Sequence, residues 1–439
     1  MGKPMVAIVG RQNVGKSTLF NRVVGKPQAI VADLPGTTRD RVFASAAWEG
    51  AEFTLVDTGG LEFEGRTSLA QAVREQVKVA IAEADVILFL VDVREGLLPA
   101  DQEIAQMLRR SNKPIVLVAN KADNERMEAG IAEFYRLGLG EPVAVSAHHG
   151  RNIRELMERL VVLLPPTSRE AEPAAIKLAI VGRPNVGKSM LLNTLVGEER
   201  AIVDQTPGTT RDVLDTRLDF EGQTVILIDT AGIRRRGRVG RGVEQFSVLR
   251  ALRAVDRADV VLLVLDATEL LAAQDMHVAG YIQQAAKGIV IIVNKWDLVA
   301  GKDTAEYDRY IRSQLKFLPY ASVLYTSAKT REGVEEVLPL VLEVYQERNK
   351  EVPTPELKSL IRQALAKHVP LRRGGRQLKI MSATQAGTNP PTFVFQVNDA
   401  RLVHFSYRRY LENRLRQAFG FQGTPLRLVF KRGGDRDSS

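Results

Sequence analysis

The 439-residue chain contains no cysteine. Disulfide bonds, a thiolate nucleophile and a cysteine-ligated zinc site are therefore excluded, and a cytoplasmic location is expected because that compartment is reducing. The five histidines are scattered along the sequence, which argues against a histidine metal site. The chemistry of this protein must come from other residue types.

Long hydrophobic runs are also missing. The longest apolar stretches, at 86–91 and 260–265, each stop at an aspartate after the length of a strand, whereas a membrane-spanning helix needs about 20 apolar residues. Residues 1–5 leave no room for a signal peptide, and Val6 does not fit a myristoylation signal. We expect both runs to be buried parallel strands, and we expect no membrane partner.

A duplication dominates what the sequence does contain. Three motif pairs are each separated by 172 residues, namely "GRQNVGKS" and "GRPNVGKS" at Gly10 and Gly182, "PGTTRD" at Pro35 and Pro207, and "DTGG" and "DTAG" at Asp57 and Asp229. A constant offset over three motifs is typical of a duplicated domain. Further on, "NKAD" at Asn120 is matched by "NKWD" at Asn294.

The repeat and the charge together predict the domain organisation. Residues 351–439 carry 16 Lys or Arg and 6 Asp or Glu, a net charge of +10, whereas the whole chain carries +9. The positive charge therefore belongs to a third domain. We predict a first α/β domain at 1–165, a linker at 166–175, a second α/β domain at 176–350 and a basic α+β domain at 351–439.

The first motif pair predicts two phosphate-binding loops, because each follows a β-rich run and precedes a helical pattern. Backbone N–H groups at a helix start form an anion site, Lys16 and Lys188 reach the terminal phosphates, and Ser17 and Ser189 bind Mg²⁺. The two loops comprise Gly10, Arg11, Gln12, Asn13, Val14, Gly15, Lys16, Ser17 and Thr18, and Gly182, Arg183, Pro184, Asn185, Val186, Gly187, Lys188, Ser189 and Met190.

The "NKxD" motifs identify the base. The Asp123 and Asp297 carboxylates can each accept two hydrogen bonds from guanine, and adenine lacks that donor pair, so guanine is selected. Asn120 and Asn294 are expected to brace the loop. The predicted base-binding residues are Asn120, Lys121, Ala122, Asp123, Ser146 and Ala147 in the first copy, and Asn294, Lys295, Trp296, Asp297, Ser327 and Ala328 in the second.

These motifs, in this order and followed by a basic domain, resemble the tandem-G-domain GTPases of the double-Era-like family, Der, also called EngA. The resemblance covers essentially the whole chain and implies two P-loop GTPase domains with a C-terminal KH-like domain. It further implies GTP hydrolysis coupled to late assembly of the large (50S) ribosomal subunit, with that subunit and its rRNA as partners. A monomer with no DNA partner is expected.

The resemblance also implies residue roles. Thr38 and Thr210 in the first switch would complete the Mg²⁺ shell, Asp57 and Asp229 would hold Mg²⁺ through water, and the N–H groups of Gly60 and Gly232 would sense the γ-phosphate. The residues expected to line the nucleotide here are Asp57, Thr58, Gly59, Gly60 and Leu61, and Asp229, Thr230, Ala231, Gly232 and Ile233.

The leucine and isoleucine in these stretches exclude a water-orienting glutamine in both domains. In related potassium-activated GTPases, an asparagine at the position of Asn13 and Asn185 helps to hold K⁺ beside the phosphates, where the cation stabilises developing charge. We therefore expect slow hydrolysis stimulated by K⁺; alternatively, these asparagines only shape the loop. The predicted catalytic set is Asn13, Lys16, Thr38 and Gly60, with Asn185, Lys188, Thr210 and Gly232.

Two basic segments remain open to interpretation. The second copy continues with arginines between 234 and 241. Three interpretations of this run stay open: a solvated loop, a nucleic-acid contact or a nucleotide-dependent docking site for another domain. The C-terminal domain is predicted as helix, strand, strand, helix, strand, and it lacks the GxxG loop of usual KH domains. Structured rRNA recognised by shape and charge is therefore preferred. The predicted RNA-binding residues are Arg372, Arg373, Arg376, Arg408, Arg409 and Arg416.

Two aromatic residues of the same domain, Tyr407 and Tyr410, fit either stacking on RNA or the core. Two functional hypotheses also remain. The first is a GTPase switch with two hydrolytic sites and a basic adaptor. The second is a GTP-sensing RNA-binding module in which only one G domain hydrolyses.

Overall fold

A computed structural model describes residues 3–25, 43–60, 69–165, 175–197, 202–204, 215–230, 247–269, 271–368, 372–373 and 376–432. The chain divides into two compact units. The first contains Met1–Ala171 with Gly240–Asp256, and the second contains Glu172–Val239 with Arg257–Ser439. The predicted linker at 166–175 lies outside the described residues except for Ala175, so the predicted domain boundaries stay predictions.

The first repeat folds around a six-stranded sheet of order β2-β3-β1-β4-β5-β6. Only β2 runs antiparallel to its neighbour. The strands are Met5–Val9 (β1), Phe43–Trp48 (β2), Ala51–Asp57 (β3), Val86–Asp92 (β4), Ile115–Asn120 (β5) and Val143–Ala144 (β6). The helices are Lys16–Val24 (α1), Leu69–Glu83 (α2), Pro99–Arg109 (α3), Glu125–Glu128 (α4) and Ile153–Leu163 (α5).

Helices cover both faces of this sheet. Leu19 of α1 and Leu156 of α5 pack on one face, and Val77 of α2 and Ile104 of α3 pack on the other. Burial from both sides explains why every residue of β4 is apolar up to its final aspartate. The prediction of a buried parallel strand at 86–91 is therefore confirmed.

The second repeat has a seven-stranded sheet of order β13-β12-β11-β7-β10-β9-β8. Its strands are Ile176–Val181 (β7), Ile202–Asp204 (β8), Thr216–Phe220 (β9), Gln223–Ile228 (β10), Val260–Asp266 (β11), Gly288–Asn294 (β12) and Ser322–Tyr325 (β13). Its helices are Lys188–Val196 (α6), Ser247–Arg257 (α7), Ala273–Gln284 (α8), Thr304–Gln314 (α9) and Val337–Asn349 (α10). All seven residues of β11 are buried, as predicted for 260–265.

Helix α7 contributes its residues up to Asp256 to the first unit. There, Arg250 Nε lies 2.7 Å from Glu83 Oε1, and Arg253 pairs with Asp85. No motif or spacing in the sequence indicates these ion pairs. They join a helix of the second repeat to the end of α2 and to the loop that follows it.

The C-terminal domain contains the predicted two helices and three strands in the predicted order, and it adds a pair of two-residue strands after the first helix that the prediction lacks. Its elements are Thr354–Lys367 (α11), Arg372–Arg373 (β14), Arg376–Gln377 (β15), Ile380–Gly387 (β16), Thr392–Val397 (β17), Phe405–Phe419 (α12) and Arg427–Arg432 (β18). Strand β17 lies between antiparallel β16 and parallel β18. Phe393 and Phe395 pack against Leu357 of α11 and Leu411 of α12 in a separate core. Among the described residues, no helix is both long and apolar enough to span a bilayer.

Candidate nucleotide sites

Each predicted phosphate loop joins a strand to a helix, β1 to α1 and β7 to α6. The loops have the same backbone shape, with φ of 64° at Asn13 and 63° at Asn185, and 98° at Gly15 and 97° at Gly187. Asparagine tolerates the left-handed region better than most residues, so the loop geometry by itself favours it here. The two sequences therefore build the same local cradle.

Glycine is required where the loop meets the base-binding motif. A Cβ atom added at Gly15 would lie 2.3 Å from Asn120 Nδ2, and one at Gly187 would lie 2.2 Å from Asn294 Nδ2. The second glycine of each loop thus makes room for the asparagine amide.

These asparagines tie the phosphate loop to the base-binding loop in both repeats. Asn120 Nδ2 donates to Val14 O at 2.7 Å, while its Oδ1 accepts from the N–H of Ala147 at 3.0 Å. Asn294 makes the matching bonds to Val186 O at 2.8 Å and from Ala328 N–H at 3.0 Å. Both asparagine side chains are buried. They occupy the bracing position that the sequence predicts.

The lysines lie across their own loops. Lys16 Nζ donates to Gly10 O at 2.9 Å and to Arg11 O at 2.7 Å, and Lys188 Nζ donates to Gly182 O at 2.8 Å and also to Arg183 O. Burial lowers the pKa of Lys16, whereas the Asp57 carboxylate favours its charged form. Each lysine amine is thus held against the backbone oxygens of the first two residues of its own loop.

Two of the predicted magnesium ligands in the first repeat lie in direct contact. Ser17 Oγ donates to Asp57 Oδ2 at 2.5 Å, and the N–H of Gly59 donates to Asp57 Oδ1 at 2.9 Å. A hydroxyl and a carboxylate are the hard oxygen donors that Mg²⁺ prefers, so these two residues fit that ion. Gly60 ends the short turn Thr58–Gly60, whereas Thr38 and Leu61 lie outside the described residues.

The second repeat arranges this corner differently. The N–H of Asp229 donates to Asp215 Oδ1 at 2.9 Å, and Asp215 also pairs with Arg257. The position 172 residues before Asp215 holds Phe43, so the first repeat has no equivalent carboxylate. Thr210, Ala231, Gly232, Ile233 and the arginines between 234 and 241 lie outside the described residues.

The carboxylates predicted to select guanine are positioned by serines of a later loop. Ser146 Oγ donates to Asp123 Oδ1 at 2.6 Å, and Ser327 Oγ donates to Asp297 Oδ1 at 2.7 Å. The Ser146 hydroxyl keeps the pKa of Asp123 below its ordinary value. Asp123 is therefore ionised at neutral pH, as an acceptor of two N–H groups must be.

Sequence reasoning missed Arg94, which forms an ion pair with Asp123 in the first site only. Its guanidinium is 54% exposed, and the position 174 residues later holds Thr268. A guanine pairing with Asp123 would have to share that carboxylate with Arg94 or displace it.

A buried ion pair under each phosphate loop was also missed. Arg11 lies 3.4 Å from Asp101 at the start of α3, and Arg183 lies 2.7 Å from Asp275 at the start of α8. Burial raises the pKa of both carboxyl groups. Asp101 and Asp275 are 174 residues apart, the same offset as the "NKxD" motifs, and that spacing was the available signal.

The predicted RNA-binding arginines fall into different environments. Arg376, Arg408 and Arg409 are exposed. Arg416, by contrast, donates to Phe421 O at 2.7 Å and to Thr424 O at 3.0 Å, and its side chain is only 15% exposed. Its hydrogen-bonding capacity is used within the protein. Arg372 and Arg373 form β14, and their side chains lie outside what is described.

Of the two tyrosines of α12, Tyr407 is a core residue and Tyr410 is partly buried against the same core. Tyr407 and Tyr410 donate to the backbone oxygens of His368 and Ala364 at the end of α11. Tyr407 is 6% exposed. The core alternative therefore holds for this pair.

Family models match three parts of the chain, which together make up more than two thirds of its length. A model described as "50S ribosome-binding GTPase" matches residues 5–121 and again 177–295, and one described as "KH-domain-like of EngA bacterial GTPase enzymes, C-terminal" matches 351–431. These matches confirm the predicted fold class of two tandem GTPase domains with a KH-like domain.

Full-length relatives agree with the family models. GTPase Der of Pelotomaculum thermopropionicum is 52% identical over 98% of this chain and 99% of its own length. GTPase Der of Moorella thermoacetica is 52% identical over 99% of this chain and 100% of its own length. A solved structure of Era in complex with MgGDPNP and nucleotides 1506–1542 of 16S ribosomal RNA is 26% identical over 60% of this chain and 92% of that chain, with a TM-score of 0.32.

Proposed function

Because this chain belongs to the Der family of GTPases, we propose that it hydrolyses GTP at both sites and acts as a switch in late assembly of the large ribosomal subunit. The observation that carries the proposal is the duplicated brace, in which Asn120 and Asn294 join a phosphate loop to a guanine-selecting loop. A loop that binds phosphate and a loop that binds the base are held at a fixed separation in each repeat.

The lysines and the loop N–H groups bind the phosphates, and the aspartates of the "NKxD" motifs select guanine. Ser17 and Asp57 would hold Mg²⁺ in the first site with Thr38, as Ser189, Asp229 and Thr210 would in the second. The bound ion neutralises phosphate charge during transfer. The serine and carboxylate that already touch each other in the first site support this assignment.

Potassium stimulation is part of the proposal. Neither Leu61 nor Ile233 can orient water, and Asn13 and Asn185 hold matching positions in the two loops. Turnover of the wild-type protein is expected to be faster in KCl than in NaCl. Replacing both asparagines by glycine keeps the left-handed backbone accessible and should remove the difference between the two salts. Equal turnover of the wild type in both salts would contradict the potassium role.

The basic C-terminal domain is proposed to bind rRNA of the large subunit through Arg372, Arg373, Arg376, Arg408 and Arg409. Its net charge of +10 over residues 351–439 supports attraction to phosphate. Cosedimentation with large ribosomal subunits in GTP and in GDP tests this role. Binding that is absent in both nucleotides would contradict it.

The difference between the two magnesium corners favours a second candidate, a GTP-sensing module with one hydrolytic site. Asp229 has its backbone fixed by Asp215, and the first site lacks that contact. Single-turnover hydrolysis separates the candidates. With two hydrolytic sites, Lys16→Ala and Lys188→Ala each remove part of the activity, whereas with one site a single variant removes all of it.

A further inference from the structure

A phenylalanine is exposed in the basic C-terminal domain. Phe405, the first residue of α12, is 74% exposed, whereas Phe393, Phe395 and Phe421 of the same domain are fully buried. Among the described residues, the other strongly exposed aromatic side chain is Tyr135, at 51%. A single exposed apolar residue is ordinary, so the surroundings decide what this one means.

Helix α12 presents two different faces. Tyr407, Leu411 and Leu415 are buried against the domain core. Arg408 and Arg409 are exposed and follow Phe405 by three and four residues, the spacing at which helical side chains are neighbours. The phenylalanine therefore shares its side of the helix with two positive charges.

Neither of these arginines forms an ion pair with another residue that the structure describes. This contrasts with Arg401, which pairs with Asp399, and with Arg416, which pairs with Glu412. The charge beside Phe405 is thus available to an external anion within the described part of the domain.

A second ring supports the phenylalanine. The centroid of the His404 imidazole lies 4.4 Å from that of Phe405, with the ring planes tilted by 45°. His404 Nδ1 lies 2.7 Å from Ser406 Oγ and accepts from the N–H of Ser406 at 3.3 Å. This contact fixes the imidazole at the helix start, so the phenylalanine ring has a neighbour on one side and solvent on another.

We propose that Phe405, supported by His404, is a stacking site for an unpaired base of single-stranded RNA, whose phosphates Arg408 and Arg409 contact. Every base offers a π face to an exposed aromatic ring, and arginines beside that ring match the flanking phosphates. The inference rests on the proposed RNA binding of this domain. It adds contact with an unpaired base to a recognition that otherwise rests on charge and shape.

The segment that leads into α12 favours recognition of a nucleotide by an aromatic side chain over recognition by the backbone. Between the short turn Ala400–Leu402 and Phe405 lie Val403 and His404, so no glycine allows the backbone itself to approach a nucleotide closely. Close contact with a base at this place is therefore expected to use side chains.

The test compares RNA affinities of the full-length protein by fluorescence anisotropy at one fixed salt concentration. The probes are a short adenosine homopolymer and a fully paired RNA hairpin. Phe405→Ala is expected to weaken homopolymer binding roughly tenfold, the effect of losing one base–aromatic stack, and to leave hairpin binding unchanged. Phe405→Trp should keep the affinity, and its emission should be quenched by the homopolymer beyond the change seen in the wild type.

Tyr135→Ala is the matched control, because it removes an exposed aromatic ring from the first unit and should change neither affinity. Equal losses for both RNAs in Phe405→Ala, or no loss for the homopolymer, would overturn the stacking site while leaving RNA binding intact. A wild-type protein that binds neither RNA would refute the proposed RNA binding and the stacking site together. A loss seen only with intact ribosomal subunits would indicate a protein partner and overturn the stacking site.

Discussion

A glycine can be required for its backbone conformation or for the space it leaves to a neighbour, and two glycines of the first repeat separate these requirements. Gly15 lies in the phosphate loop, whereas Gly50 lies in the turn between β2 and β3. Gly15 has φ of 98° and Gly50 has φ of 87°, so both occupy the left-handed region. A side chain at Gly50 would meet nothing within 4 Å, whereas a Cβ at Gly15 would clash with the buried Asn120 amide. Conformational strain is common to both positions, and the clash is confined to the loop.

This comparison predicts that Gly15→Ala abolishes guanine nucleotide binding at the first site, because the brace and the loop cannot both keep their places. Gly50→Ala should cost only about 1 kcal/mol of stability from backbone strain and leave binding intact. Titration with a fluorescent GDP analogue in a Lys188→Ala background isolates the first site. Similar affinities for the two glycine variants would contradict the role given to Asn120.

At the scale of elements, each phosphate loop is tied to the start of a helix farther along the chain, α3 in the first repeat and α8 in the second. Asp275 accepts from the N–H of Ala272 at 3.1 Å and pairs with Arg183. One buried carboxylate therefore caps the start of a helix and also binds an arginine of the phosphate loop. Asp101 does the same in the first repeat, through the N–H of Leu98 at 3.2 Å. The loop is therefore positioned by side chains as well as by its own backbone.

Asp275→Asn should destabilise the protein by about 2 kcal/mol, because it removes the buried partner of the Arg183 guanidinium. The Arg183 side chain is only 18% exposed, and its remaining ion pair among the described residues is with the exposed Glu269. Glu332→Gln is the matched control. It breaks the exposed pair with Lys302, which is worth about 0–1 kcal/mol. Thermal unfolding followed by circular dichroism measures both changes, and equal shifts in Tm would refute the loop–helix anchor.

At the scale of the whole molecule, charge is segregated along the chain. Residues 1–350 contain 45 basic and 46 acidic groups, so the excess of positive charge lies after residue 350. Phosphate contacts release counterions, and the affinity for RNA should therefore fall as salt rises. The environment of each arginine decides which of them contribute to that dependence.

Arg408→Gln with Arg409→Gln should weaken RNA binding and reduce the slope of log affinity against log salt by about 2, since two phosphate contacts are lost. Arg416→Gln should leave the slope unchanged and lower the Tm instead, because it removes hydrogen bonds to Phe421 and Thr424. Anisotropy titrations over a salt series, with unfolding curves for each variant, distinguish the two effects. A reduced slope in Arg416→Gln would contradict its internal role.

One alternative that the sequence analysis left open had a readable signal. Tyr407 lies four residues before Leu411 and eight before Leu415, the spacing of one helical face, and that pattern indicates a core position. Arg416 gives no comparable signal. Its partners are backbone oxygens of residues 421 and 424, which only the path of the chain after α12 brings to it.

The sequence by itself determined the duplicated GTPase-type domains, the strand-to-helix loops that carry the "GKS" motifs, the positions of the "NKxD" motifs and the buried strands. Each is written in contiguous residues, whose spacing and backbone preferences act locally. Only the tertiary structure decided which side chains meet across the sheet edge. Ser17 reaches Asp57 and Asn120 reaches Val14 because parallel strands far apart in sequence end side by side, and the order of those strands follows from packing of the whole domain.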